Sequence, residues 1–414
     1  MIGIVCEYNP FHNGHAVHIT RALQEIGPDE GLVCVMSGDF VQRGEAAVYS
    51  KFARAEAACR SGADLVLELP LPWCLSSAEG FARGAVGLLG SFGVRHLAFG
   101  SETGETAELE ALASGLMQPG VQEEITALLK ETPALSYAAA RQMVMEKRVG
   151  ESGKCLAQPN NILGVEYIKA IYDLHLDMEP AAIRREGSEH DGEGQPGLRS
   201  ASEIRKTLFS GRSIRGEVPP EALAVYERER RLGREIRDRG VFETALLSRL
   251  RLYDEAFFQR LPDAGDGLGN RLYQAVRREA SYDAILAAAR SKRFPLSRIR
   301  RLCLCACLGI TAGMNEGTPP YARVLAANER GRELLRERQG KGSVPILTRP
   351  AAAKQLSGEA SAVFSLGASA HDFYVLGCTS RTERRPGMDW RTGPFLLWDG
   401  EREKDLQSGS SVIY

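Results

Sequence analysis

Short apolar runs alternate with amphipathic stretches through the first half of the chain. Apolar positions that recur every three or four residues predict helices between these runs, at 16–26, 52–61, 76–89, 105–117, 122–131, 138–147 and 161–174. The runs themselves predict strands, at 2–6, 32–36, 64–69, 97–99 and 178–184. Strands that alternate with helices form right-handed crossovers and a parallel sheet. The pattern predicts an α/β fold with a Rossmann-like parallel-sheet domain over residues 1–215, and a ligand site at the carboxyl ends of its strands.

The second half of the chain has a different pattern, in which helical periodicity dominates. Helices are predicted at 221–239, 242–252, 270–279, 282–291, 296–308 and 322–339, with one short strand at 344–348. The Gly- and acid-rich stretch 187–197 predicts a loop, and 211–220 predicts the link between two domains. We therefore expect a mainly α-helical second domain over residues 216–414.

Composition places the chain among ordinary globular proteins. Of its 414 residues, 43% are hydrophobic and 25% are charged, and no apolar run approaches the roughly 20 residues of a membrane span. The N-terminus lacks the basic and apolar segments of a secretion signal. Nine scattered cysteines, an odd number, favour reduced thiols over a disulfide framework. These features predict a cytoplasmic protein without a membrane anchor.

Three of the cysteines, Cys303, Cys305 and Cys307, lie two residues apart in an apolar segment. A metal site is one interpretation, but the spacing lacks a CxxC pair and a matching partner cluster. Small core side chains are the favoured interpretation, and we expect neither zinc nor a redox cofactor.

The start of the chain carries the strongest chemical signal. The predicted strand 2–6 leads into a turn and then into His12, Asn13, Gly14 and His15, which open a helix. Free N–H groups at a helix N-terminus bind phosphate, and a glycine lets a nucleotide approach the backbone closely. The alternative is a pair of histidines without a role at a helix start. The order of strand, turn, glycine and helix favours a nucleotide site.

The overall charge of -1 conceals a basic stretch between residues 271 and 301, which carries a net charge of +7 and leaves -8 for the rest of the chain. Cations interleaved with apolar anchors suit a polyanion such as RNA. The residues that we expect to contact RNA are Arg290, Lys292, Arg293, Arg298, Arg300 and Arg301. The alternative is a solvated helix face.

Further motifs accompany His-x-Gly-His: SGDFVQRGE at 37–45, KFAR at 51–54, GADLVLELP at 62–70, FGSE at 99–102, PNNILG at 159–164, SASEIR at 200–205 and YARVL at 321–325. Together they resemble the bacterial tRNA(Met) cytidine acetate ligase family of the HIGH-type nucleotidyltransferase superfamily, over nearly the whole chain. The resemblance implies that ATP and acetate give acetyl-adenylate and pyrophosphate. It further implies that the acetyl group passes to the exocyclic amine of the wobble cytidine of elongator tRNA(Met).

The same resemblance implies the residues of the site. His12 and His15 would be catalytic and stabilise the α-phosphate. The implied ATP contacts are Glu7, Tyr8, Asn9, Pro10, Phe11, His12, Asn13, Gly14, His15, Gly100, Asn161, Arg185, Ser200, Ser202 and Arg205. ATP is then a substrate, accompanied by Mg²⁺, although a requirement for the metal is not readable from the sequence.

Several of these residues have an ordinary structural alternative. Ser202 stands at a predicted helix start, where a hydroxyl caps the helix or binds phosphate. Arg43 and Lys51 would neutralise the leaving pyrophosphate. The alternative is that each is a surface cation. Asp39 orients a histidine, binds magnesium or is a turn residue.

The chain also departs from the family pattern. Glu189 replaces an expected aromatic, which puts the role of His190 in doubt, and Leu198 and Arg199 precede Ser200 where small residues are common.

Two other function classes stay open. A nucleotidyltransferase acting on a small phosphorylated cofactor precursor would not need the helical second half. A non-enzymatic RNA-binding protein would have no chemical reason to keep His12, His15 and Arg205 together. The expected partners are ATP, acetate and elongator tRNA(Met); the sequence indicates no protein partner and no oligomeric state.

Overall fold

The computed structural model describes residues 1–132, 135–185, 197–237 and 239–398. The strands in chain order are β1 Ile2–Cys6, β2 Leu32–Ser37, β3 Phe40–Val41, β4 Glu45–Ala46, β5 Leu65–Leu69, β6 His96–Ser101, β7 Glu179–Arg184, β8 Ala322–Ala327, β9 Ile346–Leu347 and β10 Phe395–Leu396. All five predicted strands of the first half are confirmed.

The helices surround this sheet and fill much of the second half. In the first half they are α1 Asn13–Ile26, α2 Lys51–Arg60, α3 Leu71–Cys74, α4 Ala78–Phe92, α5 Thr106–Leu116, α6 Val121–Glu131, α7 Tyr137–Val149, α8 Pro159–Asp173 and α9 Ala201–Phe209. In the second half they are α10 Pro220–Leu232, α11 Arg239–Leu250, α12 Glu255–Gln259, α13 Leu268–Arg278, α14 Tyr282–Ala289, α15 Leu296–Leu308, α16 Glu329–Arg338, α17 Pro350–Ala353 and α18 Gly358–Tyr374. Short 3₁₀ segments lie at Gly150–Ala157, Val375–Gly377, Arg381–Glu383 and Met388–Trp390. None of the helices in the described part of the chain has the length and apolar character to cross a membrane.

The main sheet has the strand order β10-β8-β5-β2-β1-β6-β7, with β9 beside β8, and β3 and β4 form a separate antiparallel hairpin. Strand β1 pairs in parallel with β2 on one side and β6 on the other. The chain therefore reverses its direction of travel across the sheet at β1, and this switch point is where α/β sheets bind ligands. The predicted fold class is confirmed.

Strand β8 corrects the prediction of one helix over 322–339. Its residues are all buried, and it pairs antiparallel with β5 before α16 begins at Glu329. A six-residue apolar run buried on both faces cannot be told from a helix by periodicity alone. Because β8 and β10 belong to the sheet, a boundary at residue 215 would split the sheet between the two predicted domains, and the two-domain division of the chain stays a prediction.

Other boundary errors have simple causes. Helix α10 ends at Leu232, short of the predicted residue 239, because Gly233 adopts a left-handed conformation with φ 69° and caps it.

Cys303, Cys305 and Cys307 are buried on α15 within the helical core. His190 and most of the predicted loop 187–197 lie outside the described residues.

Candidate functional site

The loop between β1 and α1 is fixed from several sides. Asn9 Oδ1 accepts a hydrogen bond from the Val48 N–H at 2.9 Å, and Arg205 Nη1 donates to the Asn9 carbonyl at 2.8 Å. The Phe11 N–H donates to the Tyr226 hydroxyl at 2.9 Å. The carboxyl end of β1 therefore delivers the start of α1 to a fixed position at the switch point.

His12 is the N-cap of α1, and its imidazole folds back over the helix start. Its Nδ1 accepts from the Gly14 N–H at 3.1 Å, while His15 Nδ1 accepts from the His12 N–H at 3.2 Å. A Cβ at position 14 would lie 2.9 Å from His12 Cε1, so glycine is required for this approach. The two rings lie 3.8 Å apart, centroid to centroid.

These bonds determine what the histidines offer to a ligand. A ring nitrogen that accepts an N–H bond carries no proton, so each neutral imidazole carries its proton on Nε2. Burial, Arg185 and Arg205 lower the pKa of His12 to about 3. Burial, followed by His12 and Arg185, lowers the pKa of His15 well below its usual value. At neutral pH the pair is uncharged and presents two N–H donors.

A cavity of about 360 Å³ opens beside these histidines. Its described lining contains two carboxylates, Glu7 and Glu45, and six arginines: Arg21, Arg43, Arg184, Arg185, Arg199 and Arg205. This excess of positive charge, together with the start of α1, suits a polyphosphate. Phe81, Phe99 and Leu163 supply an apolar part of the wall. The chemistry of the cavity is that of a nucleoside triphosphate site.

The start of α9 forms another wall of the cavity. Ser200 caps this helix through a reciprocal pair of bonds with Glu203, and the Ser202 hydroxyl accepts from Arg205 Nη2 at 3.1 Å. Ser200, Ser202 and Arg205 all line the cavity. The predicted group is therefore brought together, with Ser200 serving as a cap and Arg205 linking α9 to the β1–α1 loop.

The chain is similar to known proteins over most of its length. Residues 1–388 match the family described as HIGH Nucleotidyl Transferase. The chain is 34% identical to the tRNA(Met) cytidine acetate ligase of Clostridium acetobutylicum, over 84% of this chain and 89% of that one. It is 33% identical to the same-named protein of Syntrophomonas wolfei, over 95% of this chain and 99% of that one.

Solved structures agree with these relatives. A crystal structure of Thermotoga maritima TmcAL bound with alpha-thio ATP superposes with a TM-score of 0.88 at 32% identity, covering 96% of this chain and 99% of that one. The chain belongs to the tRNA(Met) cytidine acetate ligase family of HIGH nucleotidyltransferases. The predicted family is thereby confirmed.

The two asparagines of the motif at 159–164 differ in their position relative to the cavity. Asn161 does not line the cavity, because its Oδ1 accepts from the Ser101 hydroxyl at 2.7 Å and the Glu102 N–H at 3.0 Å. The preceding residue, Asn160, lines the cavity and accepts from Arg185 Nη1 at 3.3 Å. Both asparagines stand in the same motif, and the register of helix α8 decides which one faces the ligand.

Seven other members of the predicted set have mixed positions. Gly100 and Arg185 line the cavity together with Tyr8 and Asn9. Pro10 and Phe11 are buried residues of the β1–α1 loop and are absent from the lining. Asn13 is absent from it as well, because its side chain donates to the Gly197 and Gly216 carbonyls, which fastens the start of α1 to the segments before and after α9. These last three residues shape the site without facing the cavity.

Asp39 and Lys51 are corrected more strongly, since neither lines the cavity. Lys51 Nζ lies 2.7 Å from both Glu68 Oε1 and Asp389 Oδ2, and Asp39 Oδ2 lies 2.8 Å from His371 Nδ1. All of these side chains are buried, so Lys51 has no access to pyrophosphate. Asp39 does orient a histidine, but the histidine is His371. Of the three residues expected near pyrophosphate, only Arg43 faces the cavity.

We call this group the buried ion cluster; its members are Asp39, Lys51, Glu68, Arg323, His371 and Asp389. Three acids face three bases, so the charges balance when His371 is protonated. Burial opposes that protonation, but Asp39 outweighs it and raises the pKa of His371. In the described part of the chain, no group of three His, Cys, Asp or Glu residues is arranged to hold a metal ion.

The basic stretch divides into exposed and structural members. Arg290, Lys292 and Arg293 are exposed, whereas Arg301 is buried and Arg298 donates to the Asp263 carbonyl at 2.8 Å. Arg301 therefore has no surface for RNA, because its side chain packs between Gln42 and Asp263.

Helix α15 brings this stretch to the rim of the cavity. Arg300 forms an ion pair with Glu45, a cavity residue on the β3–β4 hairpin. At Gly44 the backbone is left-handed with φ 76°, and a Cβ there would lie 2.5 Å from the backbone nitrogen of Arg301. Only glycine permits so close a docking of the hairpin on α15.

Sequence reasoning missed several cavity residues, two of which a helical pattern could have revealed. His18 and Arg21 follow His12 and His15 at intervals of three along α1 and share their face. Burial and Arg185 lower the pKa of His18 to about 4, so it too is neutral. Arg184 and Glu45 carried no comparable signal, since a strand end and a hairpin had to fold before either reached the cavity.

Proposed function

We propose that this chain activates acetate with ATP and transfers the acetyl group to the exocyclic amine of the wobble cytidine of elongator tRNA(Met). The observation that carries the proposal is the pair of neutral histidines, His12 and His15, whose Nε2–H donors stand at a helix N-terminus beside a cavity with six arginines. The named relatives and the alpha-thio ATP complex of the Thermotoga maritima protein support the same reaction.

The first step places an acetate oxygen on the α-phosphorus and releases pyrophosphate. Negative charge grows on the α-phosphate oxygens, and pre-oriented N–H donors stabilise it without any covalent intermediate on the protein. His12 and His15 supply such donors while remaining neutral. Arg43 and Arg205 line the same cavity, and we assign them to the leaving pyrophosphate.

Mg²⁺ accompanying ATP would be held mainly by the phosphate oxygens. The described lining offers Glu7 and Glu45 as the only carboxylates, and Glu45 already pairs with Arg300. Glu7 Oε1 is likewise engaged, by the Gln42 N–H, so these side chains would leave the metal mainly to the phosphates. The metal would supply charge neutralisation on the phosphates, while the arginines and histidines orient them.

The second step requires an anticodon base to enter the cavity from a bound tRNA. Single-stranded loop bases are the part of RNA that proteins can draw out and recognise. The exposed residues Arg290, Lys292 and Arg293 lie on the segment leading into α15, whose docking on the β3–β4 hairpin joins it to the cavity rim. We assign phosphate contacts to these three residues.

The test is nucleoside mass analysis of tRNA(Met) incubated with the protein, ATP and isotopically labelled acetate. We expect labelled N4-acetylcytidine and stoichiometric AMP and pyrophosphate. A tRNA carrying uridine at the wobble position is the matched control and should gain no label. Acetate-independent pyrophosphate release with a small phosphorylated precursor, and an unmodified tRNA, would contradict the proposal.

A further inference from the structure

One cavity carboxylate, Glu7, has no use in the binding of a triphosphate. It follows β1 directly, and its Oε1 accepts from the Gln42 N–H at 2.7 Å. Among the described residues, its Oε2 has no hydrogen-bond partner. A carboxylate beside phosphate-binding arginines weakens phosphate binding. We therefore expect Glu7 to have a different function in this wall of the cavity.

The groups around Glu7 come from several elements. Arg43 lies on the hairpin loop, Arg54 on α2 and Arg205 on α9. After burial, the charge of Glu7 contributes to raising the pKa of the Tyr167 hydroxyl and of the Cys74 thiol. Arg54 is itself engaged with the Glu7 and Gly38 carbonyls. Burial raises the pKa of Glu7, and the Gln42 N–H and these arginines only partly oppose it.

Glu7 is also linked to the side from which RNA would enter. Gln42 donates its N–H to Glu7, and its carbonyl accepts from Arg301 Nη1 on α15 at 3.4 Å. The same hairpin carries Glu45, which pairs with Arg300. A base that enters past α15 and the hairpin therefore meets the wall of the cavity that contains Glu7.

The histidines cannot serve as the base for the transfer step. Their Nδ1 atoms accept backbone N–H bonds, and their Nε2 atoms already carry protons. The transfer step nevertheless releases a proton, because an amine becomes an amide.

We propose that Glu7 is the general base of acetyl transfer, a role that rests on the proposed function. The exocyclic nitrogen of cytidine attacks the carbonyl carbon of acetyl-adenylate, and the new C–N bond forms. The C–O bond to the phosphate breaks, and AMP leaves with the electron pair. The proton lost from nitrogen passes to Glu7 Oε2 and then to solvent, so the step balances without a further reactant.

The test supplies chemically prepared acetyl-adenylate and tRNA(Met) to the full chain in a single turnover, which bypasses adenylation. Glu7→Gln keeps an oxygen for the Gln42 N–H and removes only the basic function. We expect transfer to fall by about 10²-fold or more. The wild-type rate should rise with pH through the titration of a carboxyl group, and the variant should lose that rise.

Glu45→Gln is the matched control, because it neutralises the neighbouring carboxylate of the same cavity; it should keep the pH-dependent rise. Acetyl-adenylate formation from ATP and acetate is measured beside transfer, and in Glu7→Gln its loss should be at least tenfold smaller than the loss in transfer. A Mg²⁺ titration of both half-reactions completes the design.

Three results would overturn the role of Glu7: an unchanged pH profile in Glu7→Gln, equal losses in both half-reactions, or rescue of the variant by high Mg²⁺, which would identify a metal ligand. A wild-type chain that transfers nothing from acetyl-adenylate would instead contradict the proposed function itself, and the role of Glu7 would fall with it. The two kinds of failure are therefore distinguishable.

Discussion

The arginine-lined cavity and the buried ion cluster differ in their balance of charge. The cavity leaves six arginines facing two carboxylates, and its histidines are held neutral. In the cluster, acids and bases match in number, and against the effect of burial Asp39 raises the pKa of His371, which favours its charged form. The excess of arginines in the cavity favours an anionic ligand, whereas the charges of the cluster are paired within the protein.

Both regions draw on the same short stretches of sequence. The motif at 37–45 sends Arg43 and Glu45 to the cavity and Asp39 to the cluster. A motif that looks uniformly functional therefore contains residues with two different tasks. The comparison predicts that changes in the cluster affect stability, and that changes in the cavity affect chemistry.

The largest expected effect comes from removing the central cation of the cluster. Lys51→Met leaves the buried Glu68 and Asp389 with Arg323 as their remaining cation, and breaking a buried pair costs about 3–5 kcal/mol. Urea unfolding should show this loss in the free energy of unfolding. Lys154→Met, which removes an exposed cation paired with Glu151, is the control and should change that free energy by less than about 0.5 kcal/mol. Equal effects of the two variants would show that the cluster is not structural.

A cavity change should act on chemistry instead. His12→Asn keeps a good N-cap for α1 but removes the Nε2–H donor. We expect the rate of acetyl-adenylate formation to fall by about 10²–10³-fold, as for the loss of one oxyanion donor. The free energy of unfolding should fall by no more than about 1 kcal/mol. A near-normal rate would remove His12 from the catalytic assignment.

Charge reversal on the exposed part of the basic stretch should have a smaller effect. With Arg290, Lys292 and Arg293 all changed to Glu, tRNA affinity should fall about tenfold or more, and each lost phosphate contact should flatten the salt dependence. Acetyl-adenylate formation is measured as a folding control. Reversal of Lys130, Lys147 and Lys154, which are exposed elsewhere, should leave the affinity unchanged. A triple variant with the wild-type salt slope would show the stretch to be a solvated face.

The smallest effect concerns pH and the pair of His371 and Asp39. Because the pKa of His371 is raised on folding, its contribution to stability is complete below about pH 6.5, its unfolded value, and is lost as pH rises through the folded value. The difference in the free energy of unfolding between wild type and His371→Gln should therefore shrink between pH 6 and pH 9. A difference that grows with pH would reverse this assignment.

The sequence predicted most of what local pattern controls. The strands β1 and β5, the helix α15 and the His12-to-His15 turn all follow from short-range periodicity and capping. What it missed depends on contacts made across the chain. The partners of Lys51 include Asp389, which lies 338 positions away, and no motif around residue 51 could reveal that it is internally paired.

The same limit explains the errors within correctly recognised motifs. Asn160 and Asn161 are adjacent, and only the docking of α8 against β6 turns the first toward the cavity and the second toward Ser101. Arg301 stands in the basic stretch but points into the junction between α15 and the hairpin. Charge and residue type identified the regions, and packing decided which members face a ligand.

The central claim is that the cavity holds neutral imidazoles that face the nucleotide, while the cluster holds a charged imidazole that does not. The most direct test is ¹⁵N NMR of the histidine side chains at pH 6, assigned with His12→Asn and His371→Gln, before and after addition of a non-hydrolysable ATP analogue. We predict neutral Nε2–H forms for His12 and His15 that both shift on binding, and a protonated His371 that does not. A protonated His12 at this pH in the free protein, or a nucleotide-dependent shift confined to His371, would contradict the account.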